Sequence, residues 1–442
     1  MIRIEQRLSS SQIIILGFAA LILIGSLLLM LPISTQDGNS AIFSDALFTA
    51  TSAVCVTGLI VQDTATYWST FGQAVIITLI QIGGMGVVTV AIFISAFSGK
   101  QISLKQRSTM QEAISAHKVG GIVRLTGFII KMTIIFELLG AVIMAPTFCK
   151  EFGVLKGIWS AVFHSISAFC NAGFDLMGVK TTYSSLTYFV DNPVINFTIM
   201  LLIVIGGIGF MTWDDIKVNK YHIRKYRMQS KVILITTALL ISLPALYFFF
   251  FEFGTKPMGE RIWSSLFQSI TPRTAGFNTV DLTQISEKGT TITIMLMLIG
   301  GSPGSTAGGM KTTTLAVLFS TAISVFRRRE HTHFFGRRVN NDAIRNASTI
   351  LMMYVILFLT GGFLISHIEG IPLFICLYET ASAIGTVGLT LGITPTLGIV
   401  SQIILIVLMY IGRVGGLTLI FSAFTGNQGN TARLPKEKIT VG

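Results

Sequence analysis

Residues 378–389 read YETASAIGTVGL, and the same pattern occurs three more times in the chain. FTATSAVCVTGL spans 48–59, FHSISAFCNAGF spans 163–174 and FQSITPRTAGF spans 267–277. Aligned on the glycine before the closing apolar residue, they place Gly58, Gly173, Gly276 and Gly388 at separations of 115, 103 and 112 residues. An aromatic residue stands ten positions before the glycine in repeats one, two and four, and nine before it in repeat three. A second motif follows each time: IGGMG at 82–86, IGGIG at 205–209, IGGSPG at 299–304 and IGRVGG at 411–416, with glycine-to-glycine spacings of 25, 33, 24 and 24. Two motifs in register four times over define a repeat architecture. Its units are residues 1–99, 100–220, 221–330 and 331–442.

Around these motifs the sequence is strongly apolar. Of 442 residues, 51% are hydrophobic and 12% charged, against about 25% charged in an ordinary soluble domain. A water-soluble globular fold is excluded. In each repeat a long apolar helix leads in (12–32, 122–146, 231–253, 346–367), and about a dozen residues of helical pattern then reach the first glycine. At 1.5 Å per residue, a dozen residues cover only about 18 Å, too short to span a bilayer of roughly 30 Å. A second apolar stretch returns (71–97, 193–213, 290–325, 398–424). The expected fold is an all-α polytopic membrane protein: helix, re-entrant half-helix, loop, helix, four times around a pseudo-fourfold axis, with eight full crossings. The first apolar run, 13–31, is too long for a signal-peptide core and reads as a retained span.

The charge pattern sets the orientation. Residues 3–7, 100–131, 217–231, 327–345 and 433–438 hold 23 of the 32 cations. With the seven acids in or beside them (Glu5, Glu112, Asp214, Asp215, Glu330, Asp342, Glu437), their net charge is +16. The intervening segments sum to −5, and Lys311, Arg413 and Glu137 within apolar stretches complete the total of +12. Alternating basic and acidic loops follow the positive-inside rule, which puts the basic loops and both termini in the cytoplasm. The partner implied by this basicity is a lipid membrane, not nucleic acid. Four cysteines without CxxC spacing and six scattered histidines offer no metal or disulfide framework. No enzyme activity and no organic cofactor are expected.

Irregular backbone at membrane depth survives only when buried in protein or lining water, so the four glycine loops must converge on one axis. A half-helix that points inward ends in free carbonyls and a partial negative charge. Four such ends make a cation site without a carboxylate. Thr386, Val387 and Gly388 match the start of the potassium-channel filter TVGYG, whose backbone carbonyls replace the ion's hydration shell. Val56, Thr57 and Gly58, Asn171, Ala172 and Gly173, and Thr274, Ala275 and Gly276 occupy the same place in the other repeats. Glycine at the common position allows conformations closed to other residues. The bulky apolar residue after it is suited to packing the loop from behind.

This pattern resembles the superfamily of potassium transporters that includes Trk, Ktr and plant HKT proteins, and over essentially its whole length it looks most like the ion-translocating subunit of bacterial Ktr systems. The resemblance implies potassium uptake across a bacterial plasma membrane, with these twelve residues as the selectivity filter and K+ as the transported ion. Sodium dependence is also implied, although no motif locates a Na+ site. In that superfamily serine in place of the first-loop glycine accompanies sodium permeation, so Gly58 argues for potassium. Three loops lack a second filter glycine, which implies a shorter and less strict filter. The resemblance further implies a homodimer and a cytosolic RCK-type regulatory subunit that binds ATP and ADP. Alternatives are an ion-coupled secondary transporter of another solute, or the pore subunit of an ATP-driven potassium pump.

Two departures from symmetry suggest a gate. In repeat three the return helix is interrupted by Gly300, Gly301, Ser302, Pro303, Gly304, Ser305, Thr306, Ala307, Gly308, Gly309, Met310, Lys311 and Thr312, too rich in glycine and proline for helix. A polar loop there would obstruct the pathway, and the resemblance implies the same gating role. Gly304–Gly309 with Lys311 and Thr312 looks like a Walker A loop, but Met310 intrudes and no nucleotide-binding strand and helix surround it. The second departure is Arg413, where the other repeats have Gly84, Gly207 and Gly301. A charge at mid-membrane costs about 2.5–3.5 kcal/mol or more unless it meets a cavity or partner. Arg413 is expected either to bind loop carbonyls and hold the gate shut, or to pair with Glu137, the one carboxylate within the apolar stretches.

Overall fold

A computed structural model describes residues 9–97, 102–114, 121–416 and 418. The basic segments at 3–7 and 433–438, both chain termini, and parts of the 100–131 segment lie outside the described residues.

The four lead-in segments are the helices α1 (Ser10–Leu29), α6 (Ile122–Phe152), α10 (Met228–Tyr247, continued by a π-turn Phe248–Glu252) and α14 (Asn341–Glu369). Each is long and apolar enough to cross a membrane, with mean hydropathy of 2.1 to 2.6. Apolar side chains on their outer faces, such as Leu27, Val142, Leu243 and Phe363, are exposed, as lipid-facing residues are. Their starts carry local signals. Ser9 accepts from the Gln12 N–H in a capping box at α1, and Asn340 caps α14, each satisfying an end donor that has no helical partner. Helix α6 does not stop at Pro146, as the sequence reading placed it, but continues to Phe152. Proline removes one ladder bond, which a helix packed among others tolerates.

The half-helices follow: α2 (Phe43–Cys55), α7 (Val154–Cys170), α11 (Met258–Ile270) and α15 (Leu373–Gly385). Their recurring aromatics Phe48, Phe163, Phe267 and Tyr378 are fully buried, as are Leu59, Phe174, Phe277 and Leu389 after the glycines. The core therefore lies around the axis, behind the loops.

The return segments depart from the expectation of four continuous helices with one interruption. All four break at the second motif. Helix α3 (Thr70–Met85) stops at Gly86 before α4 (Val87–Phe97), and α8 (Pro193–Gly207) bends 94° into α9 (Phe210–Asn219). In repeat three, α12 (Glu287–Leu298) ends and α13 begins only at Thr312, running Thr312–Phe326; in repeat four, α16 (Ile399–Val414) stops at Gly415. Gly86, Gly209 and Gly415 share one conformation, φ of 88°, 92° and 90°, which a residue with a side chain rarely adopts. A single glycine in an apolar run carries no periodicity signal, so the breaks are invisible to pattern reading.

At the start of the second repeat, α5 (Leu104–Ala113) packs against α1, where Ser11 donates to Glu112. A two-stranded hairpin, β1 (His333–Phe334) and β2 (Arg337–Arg338), connects repeats three and four.

Candidate functional site

The four loops meet in a closed ring. A methyl group added to Gly58 would collide with the carbonyl oxygen of Ala172, one on Gly173 with that of Ala275 (2.7 Å), one on Gly276 with that of Val387, and one on Gly388 with that of Thr57. The contacts run from repeat one through two, three and four and back to one, so consecutive repeats are neighbours and alternate repeats face each other. All four glycines have positive φ, between 69° and 93°. The first residue of each triplet is also left-handed: Val56 at 58°, Asn171 at 61°, Thr274 at 75° and Thr386 at 50°. For β-branched Val56, Thr274 and Thr386 this is a strained geometry, held by the bonds around it.

Those bonds come from the half-helix ends. In repeats one, two and four, the N–H of the first triplet residue donates to the carbonyl of Ala53, Ala168 or Ala383, and the next N–H to that of Ser52, Ser167 or Ser382. The hydroxyls of Ser52 and Ser382 accept from the N–H of Gly58 and Gly388, both at 3.0 Å. Ser167 and Thr271 donate theirs to the carbonyls of Phe174 and Phe277. These four hydroxyls were missed in the sequence. A serine six residues before each glycine, with a threonine five before it in the shortened third repeat, was the available signal.

With most loop N–H groups turned back onto the half-helices, the acceptors are left over. Among the described residues no donor is bonded to the carbonyl oxygens of Val56, Thr57, Gly58, Asn171, Ala172, Gly173, Thr274, Ala275, Gly276, Thr386, Val387 or Gly388. All are buried except the partly exposed Gly388. The buried hydroxyls of Thr57, Thr274 and Thr386 also have no partner there. A buried polar group without a partner costs about 1–3 kcal/mol. A ring of such oxygens, at the partially negative ends of four half-helices, is chemically suited to a desolvated cation.

Below the ring lies the irregular segment of repeat three. Its base is closed by Gly300 N–H to Met310 at 2.8 Å. Toward repeat two, Ser302 and Thr306 donate backbone N–H groups to the carbonyls of Gly207 and Gly206, and Asn171 Nδ2 donates to the Thr306 hydroxyl at 2.8 Å. Toward repeat four, Gly309 N–H donates to Gly412, and Gly308 abuts the side chain of Thr386. Asn171 and Thr386 are the first triplet residues of facing repeats, so the loop crosses beneath the ring's opening. Lys311 folds back onto the loop, donating to the carbonyls of Ala307 (2.8 Å) and Gly308 (3.2 Å). A cavity of about 290 Å³, lined by Ile114, Met310, Lys311 and Arg413 among others, opens below.

Arg413 reaches from repeat four to the carbonyls of Thr306, Gly83 and Gly84. The ion-pair alternative does not hold. Among the described residues neither Arg413 nor Lys311 forms an ion pair, and the Glu137 carboxylate instead accepts from Gln81 at 3.2 Å. The broken return helices supply the partners, because helix ends expose carbonyls, and Gly83 and Gly84 sit at the end of α3. The first glycine of the second motif has its own role. A methyl on Gly83, Gly206 or Gly412 would collide with the carbonyl of Val54, Phe169 or Ile384, each four residues before a ring glycine. In repeat three the equivalent Gly300 faces Gly308 of the loop instead, which is where the fourfold pattern fails.

The chain resembles known proteins over nearly its full length. The family model for TrkH, described as a cation transport protein, matches residues 5–432. The potassium/sodium uptake protein NtpJ of Enterococcus hirae is 40% identical over 451 residues, covering 100% of this chain and 99% of that protein. The Ktr system potassium uptake protein B of Bacillus subtilis is 38% identical over 442 residues, covering 99% of this chain and 97% of the relative. Among solved structures, the potassium transporter TrkH from Vibrio parahaemolyticus superposes with a TM-score of 0.73 at 19% identity, covering 93% of this chain and 84% of that one. That likeness supports the fold.

Proposed function

The chain belongs to the TrkH family of cation transport proteins, multi-pass membrane proteins, and from that premise we propose that it takes up potassium across a bacterial cell membrane by conduction through the ring of pore loops. The observation that carries this reading is the set of carbonyl oxygens of Val56–Gly58, Asn171–Gly173, Thr274–Gly276 and Thr386–Gly388, which have no donor among the described residues and belong to residues that, Gly388 apart, are buried. Oxygens in that arrangement replace an ion's water shell at little reorganisation cost. K+ is the proposed cargo. Sodium enters either as a second cargo or as an activator, in line with the potassium/sodium description of the Enterococcus relative. The chain acts as a transporter and not as an enzyme.

The loop 300–312 is the proposed gate. It bonds to repeats two and four beneath the opening, and Arg413 ties it to the end of α3. Two cations beside the path, Lys311 and Arg413, also raise an electrostatic barrier to K+ until the loop moves. The basic loops would face the cytoplasm together with both termini. There they would receive an RCK-type subunit whose exchange of ATP for ADP sets the loop's position, acting on a homodimer of this chain. The Bacillus relative's description as part of a Ktr system supports a partnered assembly.

Rubidium uptake into proteoliposomes under an inside-negative potential, without and with external ATP, tests the proposal. Flux without ATP supports conduction. Strict ATP dependence would replace it with a pump subunit, and absence of cation flux would remove it.

A further inference from the structure

Directly after the recurring aromatic, each half-helix carries a polar residue: Thr49, His164, Gln268 and Glu379. All four are buried, and each stands behind a filter loop, nine residues before its glycine or eight in the shortened third repeat. Their surroundings differ. The Thr49 hydroxyl has no partner among the described residues. His164 Nε2 lies 3.4 Å from the N–H of Leu176, and Gln268 donates to Thr293 of its own return helix at 3.3 Å. Glu379 alone is a carboxylate, and both of its oxygens are engaged by the chain leaving the filter. Thr390 donates to Oε2 at 2.8 Å and Thr394 to Oε1.

The two threonines form one unit. Thr394 also lies 3.0 Å from the Thr390 hydroxyl, which accepts from the N–H of Gly392 at 3.0 Å. Thr390 is two residues beyond Gly388, whose own N–H is held by Ser382. The outgoing strand of the fourth loop is thus pinned to its half-helix at two points, and the outer one depends on a single side chain. Among the described residues Glu379 has no cationic partner. Burying a carboxylate without one is unfavourable, and apolar packing would have held the helix equally well.

We propose that Glu379 is a positioning residue for ion discrimination: through Thr390 and Thr394 it fixes where the carbonyls of Val387 and Gly388 stand in the ring. This rests on the reading of the ring as the potassium-selective element. The fourth loop is the one whose triplet matches the channel filter, so its registration bears most directly on distinguishing K+ from a smaller ion.

The test measures rubidium and sodium uptake into proteoliposomes for the wild type, Glu379→Gln, Thr390→Val and Thr394→Val, with thermal unfolding midpoints measured alongside. Glutamine keeps the volume but replaces one acceptor oxygen with a donor, and valine keeps threonine's shape without the hydroxyl. Loss of one buried hydrogen bond corresponds to a factor of roughly five, and the rubidium-to-sodium ratio should fall by about that much in Glu379→Gln and Thr390→Val. Glu379→Asp, which keeps both acceptors, should recover part of it. A residue that only supports the fold would lower the midpoint and total flux while leaving the ratio unchanged. That result overturns the proposal. If Glu379→Gln does not fold, the threonine variants decide by the same ratio. A wild type that conducts without preferring rubidium would overturn the filter reading and this inference with it, whereas a selective wild type matched by selective variants overturns this inference alone.

Discussion

Arg413 of the fourth repeat donates a hydrogen bond to the backbone carbonyl of Thr306 in the third, and the same guanidinium binds the carbonyls of Gly83 and Gly84 in the first. One side chain therefore joins three repeats at the level of the loop. Replacing it with glutamine removes the charge and the forked donor geometry that lysine or an amide cannot reproduce. Arg413→Gln is expected to raise rubidium flux several-fold. Unchanged flux in a folded protein would assign Arg413 a purely structural role.

Shortening the loop addresses the proposed gate from the other partner. Gly304 accepts the Phe210 N–H at 2.7 Å and packs against the Ile114 carbonyl, while Gly308 lies against Thr386. Deleting residues 304–308 takes away the crossing segment, including Thr306. Flux should increase and lose any dependence on a regulatory subunit. Equal or lower flux counts against obstruction by this loop.

The glycines of the proposed filter are expected to be intolerant of side chains. Gly58 has φ of 93°, and a methyl there would strike the Ala172 carbonyl of the neighbouring loop. Gly58→Ser should widen the ring, lowering the rubidium-to-sodium flux ratio by tenfold or so if about 1.4 kcal/mol of discrimination is lost. Comparative uptake of the two ions in proteoliposomes measures this.

The glycines of the second motif should affect folding more than selectivity. An alanine at Gly83 or Gly412 would collide with the carbonyl of Val54 or Ile384 at the end of a half-helix. Overpacking of this kind typically costs about 1–3 kcal/mol. Thermal midpoints of the purified variants should fall, while the ion ratio of the protein that does fold stays close to wild type.

In the segment that follows the second glycine loop, Asp175 is pushed up to about 7 by burial, and the nearby Asp63 carboxylate adds to the rise against hydrogen bonds from Met177 and Ser185. A folded-state value above the ordinary 3.8 means that the native protein holds this proton more tightly than the unfolded chain. Its contribution to stability is present below pH 3.8, is lost as pH rises toward 7 and is constant above. Asp175→Asn should remove that component. The wild-type midpoint should therefore decline relative to the variant between pH 4 and 7, and a constant difference would contradict the assignment.

The sequence disclosed the ring because its signal is local and repeated: one glycine, one preceding aromatic and one following apolar residue, four times. It disclosed the interrupted helix of repeat three because six glycines and prolines cluster there. It did not disclose the breaks at Gly86, Gly209 and Gly415, where one glycine in an apolar run reads as helix and only its φ near 90° marks the end. The extension of α6 past Pro146 was hidden for the opposite reason, since proline reads as a stop although packing overrides it. For Arg413 the loop carbonyls were expected partners, and Thr306 is one of them. Its bonds to Gly83 and Gly84 were beyond pattern reading, because those carbonyls are freed by the break at the end of α3.

The most direct test of the central claim is the anomalous signal of rubidium in a structure of the protein in a rubidium salt. Conduction through the pore loops predicts a peak on the axis of the ring, coordinated by the carbonyl oxygens of Thr57, Ala172, Ala275 and Val387. A protein that transports rubidium but carries no ion at those oxygens would contradict it.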